Sequence, residues 1–115
     1  MLDVIDSICE LMVVTPPSIP ASIEYLVGAP LDSYTVPEFS QDYADFCTLV
    51  YTIIYDTSQS WLIPLNTRKM EWETNDNENA DIYQIIVEVS VLEMPDWGII
   101  SSVDYELDVI ASCQY

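Results

Sequence analysis

The sequence predicts an all-β fold, an antiparallel sandwich of roughly seven to nine strands. Three observations predict it. Apolar and β-branched residues gather in short runs, most of which alternate with the period of two that turns one face inward. Clusters rich in Pro, Asn, Asp and Ser separate those runs, and almost nothing carries a helical period. With 115 residues, half of them hydrophobic, the chain has the size of one domain and enough apolar surface for a single core.

In chain order, residues 9–15 (CELMVVT) read as a strand stopped by Pro16 and Pro17, because proline brings no N–H to a ladder. Residues 22–28 (SIEYLVG) alternate, with Ile23, Tyr25 and Val27 opposite Glu24. Residues 32–39 (DSYTVPEF) form a short extended piece with Tyr34, Val36 and Glu38 on one side and Thr35, Pro37 and Phe39 on the other. Its Pro37 points to a sheet edge. Residues 45–56 (DFCTLVYTIIYD), apolar on both faces, read as the longest central strand. SWLIPL and KMEWET pair as a hairpin around NTR, with Met70 and Trp72 turned away from Glu71 and Glu73. In DIYQIIVEVSVLEM, Val87, Val89 and Val91 oppose Glu88 and Ser90. In DYELDVIASC, Tyr105, Leu107, Val109 and Ala111 oppose Glu106 and Asp108. Only the first eight residues or so could be read as helix.

Charge narrows the function classes. Twenty Asp and Glu face only Arg68 and Lys69, with no His, for a net charge of −18. Such a field repels nucleic acid and anionic membranes and favours cations and basic partners. An acidic mimic of nucleic acid is a further reading, although the carboxylates are scattered rather than set in rows. Apolar runs such as LMVV and LVYTII are far too short to span a bilayer, so no membrane insertion is expected. The N-terminus lacks the order of a signal peptide, so a secreted form would have lost its signal or carried it outside this stretch.

The same inventory speaks against an enzyme. Without His, Ser-His-Asp, Cys-His and His-zinc sites are excluded. Paired carboxylates of the glycosidase kind need two groups set across a cleft, and no spacing singles out a pair. With only Gly28 and Gly98, there is no phosphate-cradling loop.

A repeated phrase carries the organisation. LDVIDSIC begins at Leu2 and LDVIASC at Leu107, an offset of 107 − 2 = 105 residues, with Ile8 as one insertion in the first copy. That offset is the length of one sandwich module, so the last strand of one unit reads as running into the first strand of the next. Residues 1–20 are then the linker and first strand, equivalent to the tail of a preceding repeat. Residues 21–103 are the sandwich body, and 104–115 the last strand, shared with or running into a neighbour, with Leu107, Val109 and Ala111 as its assembly face. Three cysteines are an odd count. If Cys9 and Cys113 are one position in successive units, however, each period holds two. Pairing Cys9 with Cys47 closes the first strand onto a central one and would contribute about 4 kcal/mol on the chain-entropy model. Cys113 would meet the next unit's equivalent of Cys47. The sequence leaves open which of Cys9 and Cys113 pairs with Cys47, and three reduced cysteines in a cytosolic protein are the alternative.

The order C…PPS…Y…F…C…VYT…W…TNDNENADIYQIIVEV…LDVI…C resembles the immunoglobulin-like and cadherin-like tandem modules of large secreted or cell-surface proteins, notably of ciliates and other protists. The resemblance implies an immunoglobulin-like sandwich, an extracellular or cell-surface location, and tandem or polymeric copies as partners. Ala80 and Asp81 stand where such modules carry a Gly before the Tyr, and Ile85 stands where an antibody-type domain places a second core Cys. The resemblance also implies that Tyr83, in NADIYQI, is a corner tyrosine whose hydroxyl returns to the preceding backbone. Cadherin-like modules hold calcium at Asp/Asn runs, which makes Asn75, Asp76, Glu78 and Asp81 calcium candidates. The same residues read as a solvated turn, lacking the glycine and closing Glu of an EF-hand loop. No other cofactor is implied. Trp61 and Trp72 read as core anchors and Trp97 as an exposed contact for a neighbour. There is no Asn-x-Ser/Thr sequon, while TPPS and DTSQS are open to O-glycans. The expected function is a structural module of an extracellular filament or tandem array, joined head to tail by strand sharing and a disulfide. The alternative is an adhesion module working through its loops.

Overall fold

The computed structural model describes residues 13–42 and 47–112. Among these residues nine strands follow in chain order: β1 (Val14–Thr15), β2 (Ser22–Leu26), β3 (Asp32–Thr35), β4 (Ser40–Gln41), β5 (Leu49–Ile54), β6 (Leu62–Pro64), β7 (Lys69–Trp72), β8 (Asp81–Val91) and β9 (Ser101–Ile110). Single 3-10 turns at Asn77–Asn79 and Pro95–Trp97 lead into β8 and β9. A four-stranded sheet, in the order β2-β9-β8-β5, and a three-stranded sheet, β3-β7-β6, make the two layers, while β1 and β4 form a small ribbon.

Alternating side chains hold the layers together. From the larger sheet, Tyr83, Ile85, Val87 and Val89 of β8 join Tyr105, Leu107 and Val109 of β9 and Tyr25 of β2. The smaller sheet answers with Leu62, Met70 and Trp72, all in the same cluster. Burying each such side chain is worth about 1.5–3 kcal/mol, so this shared interior is the main cohesive force. The order β3-β7-β6 facing β9-β8-β5 is the layout of an immunoglobulin-like sandwich, in which a B-E-D sheet faces a G-F-C sheet. The expected hairpin is present, with Leu62↔Trp72 and Pro64↔Met70 in register and Leu65 N–H donating to Lys69 O (2.8 Å).

Three features depart from the sequence reading. First, β2 and β9 run parallel, with Ser22↔Glu106 through Leu26↔Ile110 in register, so the larger sheet is mixed rather than purely antiparallel. The two strands lie near opposite ends of the chain, so no tight turn dictates their sense. Second, Val36 and Phe39 are both buried (0% and 5% exposed) although strict alternation puts them on opposite faces. The chain leaves β3 before Pro37, and Val36 keeps only one ladder-like bond, from its N–H to Arg68 O (2.9 Å). Third, the segment read as a central strand lies at the edge of its sheet among the described residues, where β5 pairs with β8 alone. Leu49, Tyr51 and Ile53 pack against the core, while Val50 and Ile54 face outward, 37% and 43% exposed.

Candidate functional site

The strand expected to mediate assembly is interior to its own unit. β9 lies between β2 and β8, bonded on both sides, and Leu107 and Val109 are 0% and 2% exposed within the core. Ala111 follows the end of the strand and is exposed. A strand from another copy therefore cannot pair with β9 in place. Among the described residues the edges of this sheet are β2 and β5.

The corner before β8 is built from local hydrogen bonds. Tyr83 donates its hydroxyl to Asn79 O, four residues upstream, at 2.6 Å. Its ring sits edge-on to Trp61 at 5.1 Å. Burial, reinforced by the charges of Asp81 and Asp56, holds the Tyr83 pKa above the usual tyrosine value. Asp76 caps the 3-10 turn by accepting from Glu78 N–H (2.9 Å). Thr74 is the organising residue that the sequence did not single out. Buried at 7% exposure, it accepts at Oγ1 from Asp76 N–H (3.2 Å) and from Asn79 Nδ2 (2.7 Å). Its own N–H donates to Tyr25 Oη (3.2 Å), which in turn donates to Ala29 O (2.6 Å). A second corner of the same kind thus sits beside the first. The Asn77 amide brackets the end of the chain described here: Ser112 N–H donates to Asn77 Oδ1 (3.0 Å) and Asn77 Nδ2 donates to Ser112 O (3.2 Å).

This bonding bears on the calcium candidates. Asp76 Oδ1 serves the turn and Asp81 Oδ1 accepts from Ile82 N–H (2.8 Å), so these oxygens are directed at backbone rather than at a common point. Asn75 and Glu78 are exposed beside them. Among the described residues, no three of His, Cys, Asp and Glu form a group that could hold a metal ion, so Asp76, Glu78 and Asp81 do not converge.

Cys47 is 1% exposed, packed with Val91, Leu49, Met94 and Ile100, and disulfide-bonded. Cys9 and Cys113 lie outside the described residues. The Cys47 carbonyl accepts from Gln41 Nε2 (2.8 Å), joining β4 to the entry of β5. Beside that junction a cleft of about 450 Å³ opens between Phe39–Gln41 and Cys47–Tyr51. Trp61 is partly buried and Trp72 fully so, whereas Trp97 is 38% exposed near Leu92 (62%) and Ile99 (50%) on the β8–β9 connection.

Two carboxylates are held low by local hydrogen bonds. Asp56 is held below the usual carboxylate range by the Ser58 and Gln59 side chains, and Glu93 by the Thr48 backbone N–H. The outer face of the larger sheet carries Glu24, Glu88, Asp104, Glu106 and Asp108, with Glu24 and Asp108 directly opposed across the parallel pair. Arg68 is taken up internally: Nη1 donates to Val36 O (2.8 Å), the guanidinium lies 5.4 Å from the Tyr51 ring centre, and Nη2 meets Glu38 at 3.5 Å. No helix is long and apolar enough to cross a membrane among the described residues. No family model matches the chain, and no curated protein is detectably similar to it.

Proposed function

We propose that this chain is a non-enzymatic structural module of an extracellular filament or tandem array, its units following one another head to tail and tied by a disulfide. One observation carries the reading. The phrase Leu-Asp-Val-Ile that begins at Leu2 recurs at Leu107, and in the second place it forms the last part of β9, a strand integral to the sandwich. Strand sequence repeated one module length apart is what a chain of successive sandwiches contains. The bracket between Asn77 and Ser112 supports it, because it fixes the direction in which the chain leaves the unit. A second reading, an adhesion module, draws on Leu92, Trp97 and Ile99, three exposed apolar side chains on the β8–β9 connection.

The test is the mass and gel mobility of unreduced material from its native source, thiols capped, before and after reduction. A ladder at multiples of the 13.1 kDa unit that collapses on reduction means separate chains joined by disulfides. Very large species that survive reduction mean a tandem polypeptide. A discrete monomer with three capped thiols overturns the reading.

A further inference from the structure

Cys47 is disulfide-bonded, and the fold decides which of the two other cysteines can be its partner. Cys9 and Cys113 both lie outside the described residues, but peptide bonds tether each to a described neighbour, Cys9 to Val13 and Cys113 to Ser112. A disulfide brings its two Cα atoms to within about 7 Å, so the positions of those neighbours limit what each cysteine can reach.

Ser112 is at the far end from Cys47. Cys47 packs with Val91 and Ile100, and the next residue, Thr48, accepts at its carbonyl from Leu92 N–H (2.9 Å), so Cys47 lies where β8 ends and β9 is about to begin. β9 then runs the length of the sandwich. Its pairing with β8 passes from Val89↔Ser101 to Asp81↔Val109, which is 109 − 101 = 8 residue steps, or about 26 Å. Ser112 follows beyond that and is held by Asn77, in the turn that precedes β8, through bonds of 3.0 and 3.2 Å. Neighbouring Cα atoms are about 3.8 Å apart, so Cys113 cannot close such a gap to Cys47 of its own sandwich. Val13 is at the near end. Its N–H donates to Asp42 Oδ1 (2.9 Å), Val14 pairs with Gln41, and Gln41 Nε2 donates to the carbonyl of Cys47 itself (2.8 Å). Cys9 precedes Val13 by 13 − 9 = 4 residues, a stretch that spans about 14 Å when extended, so Cys47 is within its reach.

We propose that Cys47 pairs with Cys9 of the same chain, and that Cys113 is the one cysteine open to another unit. The bond joins the two Sγ atoms when a small-molecule disulfide takes up their two electrons and two protons and leaves as a pair of thiols. It ties the stretch before β1 to the entry of β5. With Cys47 engaged in this way, separate chains can be joined by disulfides only through Cys113, and such joining stops at two. In the array of the proposed function, on which this last step rests, Cys113 does for the following unit what Cys9 does here, by bonding that unit's equivalent of Cys47. The units are then stretches of one polypeptide rather than cross-linked chains.

Trypsin tests the pairing directly, because Arg68 and Lys69 are the only two cationic side chains in the sequence. Cleavage after them divides the chain into residues 1–68, which hold Cys9 and Cys47, and residues 70–115, which hold Cys113. The full chain is oxidised in a glutathione buffer, its thiols are capped, and it is then unfolded in urea, digested without reduction and weighed. The expected result is two fragments that separate without reductant. Fragment 1–68 is uncapped and two hydrogens lighter than its reduced form, and fragment 70–115 carries one cap or one glutathione, or is joined to a second copy of itself. Three results overturn the proposal: fragments 1–68 and 70–115 held together until reduction, 1–68 joined to another 1–68, or a cap on 1–68. Cys9→Ser should lower the thermal midpoint of the oxidised chain by about 10 °C while Cys113→Ser leaves it unchanged, and the reverse order also overturns it. A ladder from native material that collapses on reduction needs Cys47 bonded between chains, so it sinks the pairing and upholds the head-to-tail reading. Separating fragments from a protein that occurs in its source as a discrete monomer uphold the pairing and sink the array.

Discussion

Replacing Tyr83 by Phe isolates one hydroxyl. The ring is 8% exposed and packs against Trp61 at 5.1 Å, and Phe preserves both the burial and the edge-on contact. What is lost is the 2.6 Å bond to Asn79 O. A net hydrogen bond is worth about 0.5–1.5 kcal/mol, and an acceptor left without a partner adds to that. Asn79 is only partly buried, so water can reach part of the site, and the expected loss is about 1–2 kcal/mol. Tyr25→Phe provides the internal comparison. It removes the bond to Ala29 O and also strands the N–H of Thr74, a residue 7% exposed, so it should cost more, about 2–3 kcal/mol. Urea unfolding of the oxidised chain measures both, with the slope unchanged from the parent. In thermal melts each kcal/mol corresponds to roughly 4–8 °C. A Tyr83→Phe curve that overlays the parent, or a Tyr25→Phe variant more stable than Tyr83→Phe, would refute the argument that these corners are held by their hydroxyls.

Other consequences follow from the same geometry. Arg68→Lys keeps the charge but loses the planar contact with Tyr51 and the bond to Val36 O, and urea melts should show a loss of about 1–2 kcal/mol, against under about 0.5 for Glu38→Gln at the exposed end of the ion pair. Asn77→Ala should cost about 1 kcal/mol and speed amide exchange at Ser112, the residue it brackets. Tyr34, Tyr83 and Tyr105 all have pKa values raised by burial, with Asp81 and Asp56 adding to the effect at Tyr83 and Tyr34 at Tyr105. The folded state therefore holds protons that the unfolded chain releases, and stability present below about pH 10 should fall as pH rises above it. Tyr105→Phe should flatten that fall while being neutral or slightly stabilising at pH 7, because the Tyr105 hydroxyl is buried with no hydrogen-bond partner. Urea midpoints on either side of about pH 10 measure both effects.

What the sequence discloses depends on how far apart the interacting groups lie. The alternation of β8 is a local pattern, and Tyr83, Ile85, Val87, Val89 and Val91 are buried one after another. Tyr83 likewise bonds four residues upstream, within the stretch that identifies it. Thr74 and Tyr25 are 49 residues apart and Asn77 and Ser112 are 35 apart, and no local pattern marks either pair. The parallel sense of β2 and β9 is hidden for the same reason. The misreading of β5 has a different cause. A strand apolar on both faces suggests cover on both sides, whereas here only the inward residues are covered and Val50 and Ile54 lie open.

The charge of the molecule constrains how its sheet faces can meet other surfaces. Glu24, Glu88, Asp104, Glu106 and Asp108 line the outer face of the larger sheet, and the chain has only two cations to set against twenty carboxylates. Face-to-face stacking of two copies would bring these carboxylates together without counter-charge, which costs more than the scattered apolar groups on that face return. A sheet face so charged disfavours lateral stacking of copies, most of all at low salt.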